Sequence, residues 1–183
     1  MDPDERRSEG VTAAIVDAAP PRTLDFDALY RDARDDVYAY AATLLRDRAA
    51  AEDVAAAAFE RAYRRRGRYD ARKGSPRAWL FGIARNAALD ELRRRGRQAQ
   101  LTSEPQDAGA AAELEEAAES ALRRTVLRTA LAQLPGRDRE LIALKYHAEL
   151  SNPEIAEVIG VSVTNAGTLV HRAMTKLRET FDA

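Results

Sequence analysis

Between Arg61 and Arg97 the chain reads RAYRRRGRYDARKGSPRAWLFGIARNAALDELRRRGR, with thirteen lysines and arginines against three acids, Asp70, Asp90 and Glu91. The whole chain carries a formal charge of only -1, so its positive charge is concentrated rather than general. The single tryptophan, Trp79, and a tyrosine, Tyr69, fall inside the same block. Clustered cations hold phosphates and aromatic faces stack bases, which is the chemistry of capturing a nucleic-acid strand with splayed bases. A run of charge is also what an ordinary solvated face carries, and composition alone leaves both readings open.

Other chemistries are poorly supplied. The chain has no cysteine, which excludes disulfides, thiol catalysis and cysteine-ligated zinc. Its two histidines, His147 and His171, are too far apart in sequence to suggest a metal pair. Neither paired carboxylates nor a nucleophile with a base stands out, and Asp90 and Glu91 read as helix-surface charges, so neither an enzyme nor a cofactor is expected. No apolar run approaches the length of a membrane span, so no membrane insertion is expected. The opening MDPDERRSEGVTAAIVDAAPP is acidic and Asp17 interrupts its short apolar patch, which makes a poor signal peptide and a cytoplasmic location the expectation.

The elements that must position the basic block are helical. Hydrophobic residues make up 45% of the 183, much of it alanine, and with abundant Leu, Arg and Glu this favours an all-α fold. Residues 1–23 read as a disordered arm closed by Pro20 and Pro21. From Asp25, Phe26, Leu29, Tyr30, Val37, Tyr40, Ala41, Leu44 and Leu45 recur at helical steps. After a turn over Asp47–Ala50, a second helix is predicted from Ala51 to Arg65, with Val54, Ala58, Phe59, Ala62 and Tyr63 on its apolar face. Gly67, Gly74 and Pro76 punctuate a loop; Ser75 suits the N-cap of the next helix and Pro76 its first turn. That third helix is predicted to Arg95. At 100° per residue, Leu80, Phe81, Ile83, Ala84, Ala87, Ala88 and Leu92 gather on one side. Trp79, Gly82, Asn86, Asp90, Arg93 and Arg97 lie along the other. The indole thus shares a stripe with polar residues, where it either receives a base or packs on the preceding loop.

Residues 98–118 turn acidic, through Glu104, Asp107, Glu113, Glu115 and Glu116, and read as a flexible linker between two small helical domains. From Glu119 the period resumes with Leu122, Val126, Leu127, Ala130, Leu131 and Leu134, and stops at Pro135-Gly136. A helix over Asp138–His147 follows, and then LSNPEIAEVIGVSVTNAGTLVHRAMTKLRETF. Ser151 and Glu154 have capping-box spacing around Pro153, and Gly160 suits a left-handed stop. Ser162 caps a longer helix with Val163, Ala166, Val170, Ala173, Met174 and Leu177 on its apolar side. A short helix, a tight glycine turn and a longer helix make a helix-turn-helix. Its polar side offers Thr164, Asn165, Thr168, His171, Arg172 and Thr175 to a duplex.

Taken together, these segments resemble bacterial sigma factors of the extracytoplasmic-function (ECF) group within the sigma-70 family. FDALYRDARDDVYAYAATLLRDRAAAEDVAAAAFERAYRRRGRYD is similar to the start of that family's promoter-melting domain. GSPRAWLFGIARNAALDELRRRGR is similar to its −10 recognition segment, and LAQLPGRDRELIALKYHAELSNPEIAEVIGVSVTNAGTLVHRAMTKLR to its −35-binding domain. The resemblance implies residues 24–97 as region 2, 98–118 as a linker threading toward the polymerase active-site cleft, and 119–183 as region 4. It implies a transcription initiation factor that binds core RNA polymerase and directs it to promoter DNA, with an anti-sigma factor as a further partner.

Residue by residue, the resemblance implies −10 contacts from Tyr69, Arg72, Lys73, Arg77, Trp79, Asn86, Arg93, Arg94 and Arg97. It implies −35 contacts from Ser162, Thr164, Asn165, Thr168, His171 and Arg172, and polymerase docking through Glu52, Asp53, Phe59 and Arg61. Two places depart from the family pattern. The docking helix carries Ala55, Ala56, Ala57 and Ala58 where a polar Gln-Glu pair is usual, which puts affinity for the polymerase in question. The recognition helix has Gly167 and Leu169 where Lys and Arg are usual, which predicts a weak or unusual −35 preference. The alternative is a stand-alone helix-turn-helix regulator; it requires a dimerisation helix, and no heptad seam is visible.

Overall fold

The computed structural model describes residues 24–102 and 118–182. The N-terminal arm and most of the acidic linker lie outside the described residues. Among the described residues all regular structure is helical, in the order α1 (Phe26–Leu45), α2 (Arg48–Arg65), two single 3-10 turns (Arg66–Arg68 and Ala71–Lys73), α3 (Pro76–Thr102), α4 (Ala118–Gln133), α5 (Gly136–Tyr146), α6 (Asn152–Ile159) and α7 (Val163–Asp182).

Helix ends follow local chemistry. Asp25 Oδ1 accepts the Ala28 N–H at 2.9 Å and starts α1. Arg46, in the left-handed region at φ 55°, ends α1 by donating its N–H to Ala42 O. Asp47 then caps α2 at once, accepting the Ala50 N–H at 3.1 Å. The turn is therefore shorter than the Asp47–Ala50 expected from sequence, because the capping carboxylate is the first residue after the stop. Ser75 Oγ accepts the Ala78 N–H at 3.1 Å and starts α3. That helix continues beyond Arg95 to Thr102, with Arg93, Arg94 and Arg95 pairing to Asp90 and Glu91 one turn back.

The helices α1, α2 and α3 form a bundle around Val37, Tyr40, Ala41, Ala58, Ala62, Leu80, Phe81, Ala84 and Ala88, all buried. The alanines let the helix backbones approach closely, and the Tyr40 and Phe81 rings meet edge to face at 5.6 Å. Leu92, read from sequence as apolar-face, is 38% exposed. In the C-terminal half, Leu141, Leu144, Leu150, Ile155, Ala166 and Ala173 are buried. Burying each such leucine or isoleucine side chain is worth about 1.5–3 kcal/mol. Val126 and Leu127, expected in the apolar face of α4, are exposed, whereas Ala130 is buried, Leu131 packs against the core, and Leu134, just past the helix end, is buried.

The two halves do not stand apart. Helix α5 packs across α1, and α6 packs against α3. The buried side chains of both halves form one continuous cluster.

Candidate nucleic-acid interface

Helix α7 and the short α6 before it are held by the contacts their sequence called for. Ser151 donates its N–H (2.9 Å) and hydroxyl (2.6 Å) to Glu154 Oε2, closing the box that starts α6. Gly160 sits at φ 72°, and its N–H bonds to Ala156 O, which turns the chain toward α7. Ser162 Oγ accepts the Asn165 N–H at 3.2 Å. Beyond this cap, Ser162, Thr164, Asn165, Thr168, His171 and Arg172 are all exposed. Thr168 donates its hydroxyl proton to Thr164 O at 3.0 Å, so its oxygen faces outward as an acceptor, suited to an exocyclic amino group in a major groove.

Gly167 has a specific neighbour. A Cβ built there would lie 3.2 Å from the Asn152 Nδ2, so the missing side chain is directed at the first residue of α6 rather than at solvent. Leu169 is partly buried against the core. Neither position is a simple vacancy for a phosphate-binding cation.

In the N-terminal half, a loop and the start of α3 place the aromatic pair. The Tyr69 hydroxyl donates to Gly74 O at 3.0 Å, and the Tyr69 and Trp79 rings meet at 5.6 Å and 61°. Trp79 is half-buried against the core. Of the two readings of the indole, the structure shows the packed one, with its ring against the loop that precedes α3. Asp70 accepts the Arg72 N–H and both arms of its guanidinium, each near 3 Å. Those hydrogen bonds from Arg72 hold the Asp70 carboxyl down to about 2. Lys73, Asn86, Arg93, Arg94 and Arg97 are exposed. Arg93 and Arg94 pair with Asp90 and Glu91 on their own helix, at 3.2 and 2.8 Å, and such exposed pairs contribute little to hold the guanidinium groups in place.

Arg77 is placed differently from the rest. Its Nε donates to Ala148 O at 2.5 Å, and its Nη2 donates to Asp36 Oδ2 at 2.6 Å and to His147 O at 3.0 Å. The guanidinium expected to face a −10 strand is bound instead to the end of α5. Sequence inspection also missed Arg85, whose Nε donates to the buried Glu140 at 2.6 Å, and Ser75, whose hydroxyl donates to Glu154 Oε1 at 2.5 Å. These partners lie more than fifty residues apart, and no periodicity signals them.

On α2, Glu52 and Asp53 are exposed, Glu52 3.2 Å from Arg48, and Arg61 lies 3.7 Å from Asp90. Phe59 corrects the sequence reading. It is buried, with its ring against Tyr30 at 4.8 Å and Phe26 at 6.5 Å, in keeping with its place on the apolar face of α2 and not with a side chain offered to a docking partner. Within the alanine row, Ala58 is fully buried between helices and Ala56 is exposed.

Two family models match, described as Sigma-70 region 2 over residues 29–98 and Sigma-70, region 4 over residues 124–177. The chain belongs to the sigma-70 family. Its relatives place it in the ECF group: it is 30% identical over 168 residues to ECF RNA polymerase sigma factor SigL of Mycobacterium tuberculosis, covering 92% of this chain and 95% of that one. It is 34% identical over 155 residues to RNA polymerase sigma factor CarQ of Myxococcus xanthus, covering 84% and 87%. Among solved structures, the sigma factor RpoE of Bartonella quintana, determined with the anti-sigma factor NepR, superposes with a TM-score of 0.75 at 24% identity, covering 87% of this chain and 98% of that chain. CnrH, determined with the cytosolic domain of CnrY, superposes at 0.62 with 25% identity, covering 86% and 87%. Helices α1–α3 are therefore region 2, and α5–α7 carry the region 4 helix-turn-helix. Among the described residues no group of side chains could hold a metal ion, and no helix is long and apolar enough to cross a membrane.

Proposed function

We propose that this chain is a transcription initiation factor that binds core RNA polymerase and brings it to promoters. The observation that carries this reading is the pairing, in one chain, of a basic region 2 helix that follows an aromatic loop with an exposed, well-capped region 4 reading helix. The exposed Glu52, Asp53 and Arg61 face of α2 docks on the polymerase. The flank formed by Lys73, Asn86, Arg93, Arg94 and Arg97 follows the −10 strand backbone, and Tyr69 with Trp79 borders it. Thr164, Asn165, Thr168 and Arg172 read the −35 duplex. By analogy with the Bartonella sigma factor determined with the anti-sigma factor NepR, an anti-sigma protein is a further partner, and the site of action is the bacterial cytoplasm, where the polymerase works.

The test is run-off transcription with core polymerase on the DNA upstream of the protein's own gene. A discrete transcript dependent on the protein supports the reading. No transcript together with no co-elution with core polymerase on a sizing column overturns it in favour of a stand-alone regulator.

A further inference from the structure

Between α3 and the start of α5 lies a cleft of about 610 Å³. Its apolar lining comes from Leu44 of α1, Leu89 and Leu92 of α3, and Ile159 of α6. The exposed Leu92, unexplained by the packing of the bundle, therefore faces a cavity. The charged lining is Arg85, Arg137, Arg139 and Glu140. Arg85 and Glu140 neutralise each other at 2.6 Å, and the first-turn acid of α5, Asp138, is taken by Lys176 at 2.5 Å. Among the described residues this leaves Arg137 and Arg139 without a carboxylate partner, although both border the cleft.

Arg139 is the less satisfied of the two. Its Nε and Nη1 are shielded from solvent and have no hydrogen-bond partner in the protein. Burial, together with Arg46 just past the end of α1, lowers its pKa, so the charge is disfavoured where it sits. Unpaired buried donors and a like-charged neighbour each raise the free energy of a cation, and an anion reaching the guanidinium offsets both. The start of α5 adds partial positive charge beside Gly136 and Arg137, because its N-cap, Pro135, makes no side-chain hydrogen bond to the first turn.

We propose that this cleft is a binding site for a small organic phosphate, its apolar body on Leu89, Leu92 and Ile159 and its phosphate on Arg137 and Arg139. A cavity of this size suits a small molecule, and apolar walls with a few convergent charged groups suit one that is apolar at one end and anionic at the other. Two unpaired guanidinium groups, with Arg46 close by, match a doubly charged phosphate better than a singly charged carboxylate. None of these residues belongs to the surfaces proposed for the −10 strand, the −35 duplex or the polymerase, so the site goes beyond the initiation-factor reading and does not depend on it. A ligand held there touches helices from both ends of the chain and stabilises the folded state by mass action.

The experiment is isothermal titration calorimetry of the full chain with naphthyl phosphate as the probe. Inorganic phosphate and naphthol serve as its two separate parts, and naphthoate as its singly charged counterpart. Naphthyl phosphate should bind once per chain, about tenfold or more tightly than any of the other three, and should raise the melting temperature as its concentration rises. Arg139→Gln removes the unpaired guanidinium and should weaken binding about tenfold or more. Leu92→Glu sits at an exposed position that the fold tolerates, and its carboxylate on the apolar wall should weaken binding by a similar factor of about ten. If Arg139→Gln fails to fold, judged by circular dichroism, Leu92→Glu decides alone. No saturable binding by the parent, or binding unchanged in the folded variants, overturns the proposal. Naphthoate bound as tightly as naphthyl phosphate overturns the assignment of a phosphate. Displacement of the probe by a short DNA duplex would hand these arginines to the DNA backbone, and that too overturns the site. A failure of run-off transcription sinks the initiation-factor reading and leaves these measurements untouched.

Discussion

Gly167 gives the sharpest test of how the reading helix is built. Glycine inside a helix costs about 1 kcal/mol relative to alanine, chiefly through backbone entropy in the unfolded chain. Gly167→Ala recovers that amount if the new methyl can be seated. The only crowding is the Asn152 amide nitrogen at 3.2 Å, a few tenths of an ångström too close. That nitrogen is the end of a rotatable side chain at the start of α6, and swinging it aside costs a fraction of the propensity gain. The expected net effect is stabilisation by about 0.5–1 kcal/mol, a rise of about 1–4 °C in melting temperature for a chain of this size.

Calorimetry of the parent, Gly167→Ala, Asn152→Ala and the double variant separates the two contributions. Duplex binding by the Gly167→Ala chain should change less than about twofold, because the added methyl is directed at α6 and not at the groove. A fall in melting temperature for Gly167→Ala would refute the reasoning, most plainly if the double variant then melted above Asn152→Ala alone. Asn152 would in that case be held in place by the α6–α7 packing, and the glycine would be required there.

Two further outcomes follow from region 2. Asp47 both caps α2 through Oδ1 and binds Arg95 Nη2 at 2.9 Å through Oδ2; Asn retains the cap, so Asp47→Asn should cost under about 1 kcal/mol and Asp47→Ala about 1–2 kcal/mol in urea unfolding. Hydrogen bonds from Arg94, helped by Arg95 against partial burial, hold Glu91 down to about 2. Its lowered pKa stabilises the fold above the ordinary carboxylate value near 4.5 and loses that effect as pH falls toward 2. Replacing it by Gln should therefore flatten the stability profile in that window, by on the order of 1–2 kcal/mol, and leave its shape above pH 6 unchanged.

Local structure was largely legible from sequence because its causes are local. Asp25, Ser75, Pro76, Ser151, Glu154, Gly160 and Ser162 each set a helix end within four residues of themselves, and the structure shows every one of these caps or stops. Where the ends differ, the cause is again nearby: Asp47 starts α2 early, and the arginine pairs on Asp90 and Glu91 carry α3 past Arg95. The misreadings concern which side of a residue faces what. Phe59 was placed on a docking surface, but Phe26 and Tyr30 close over it. Arg77 looks from its spacing like one more cation of the basic block. Its actual partners are backbone carbonyls some seventy residues away, and a carbonyl leaves no signature in sequence. The same holds for the seam between the halves, where Ser75, Arg85, Glu140 and Glu154 are individually ordinary polar residues.

The placement of that seam bears on which surfaces a partner can reach. The packing partners of α2 are α1 and α3, and Glu52, Asp53 and Arg61 remain exposed while α6 lies against the start of α3. The surface proposed to meet the polymerase is thus available in this arrangement, as is the flank of Lys73, Asn86, Arg93, Arg94 and Arg97, whereas Ser75 and Arg77 are engaged by the C-terminal half. A ligand that engages α2 and also requires region 4 elsewhere gains binding free energy from both contacts only after the seam opens, so its differential affinity for the open form drives the separation. The residues of α7 proposed to read the duplex, Thr164, Asn165, Thr168 and Arg172, are exposed in the same arrangement, so duplex contact does not require the two halves to separate.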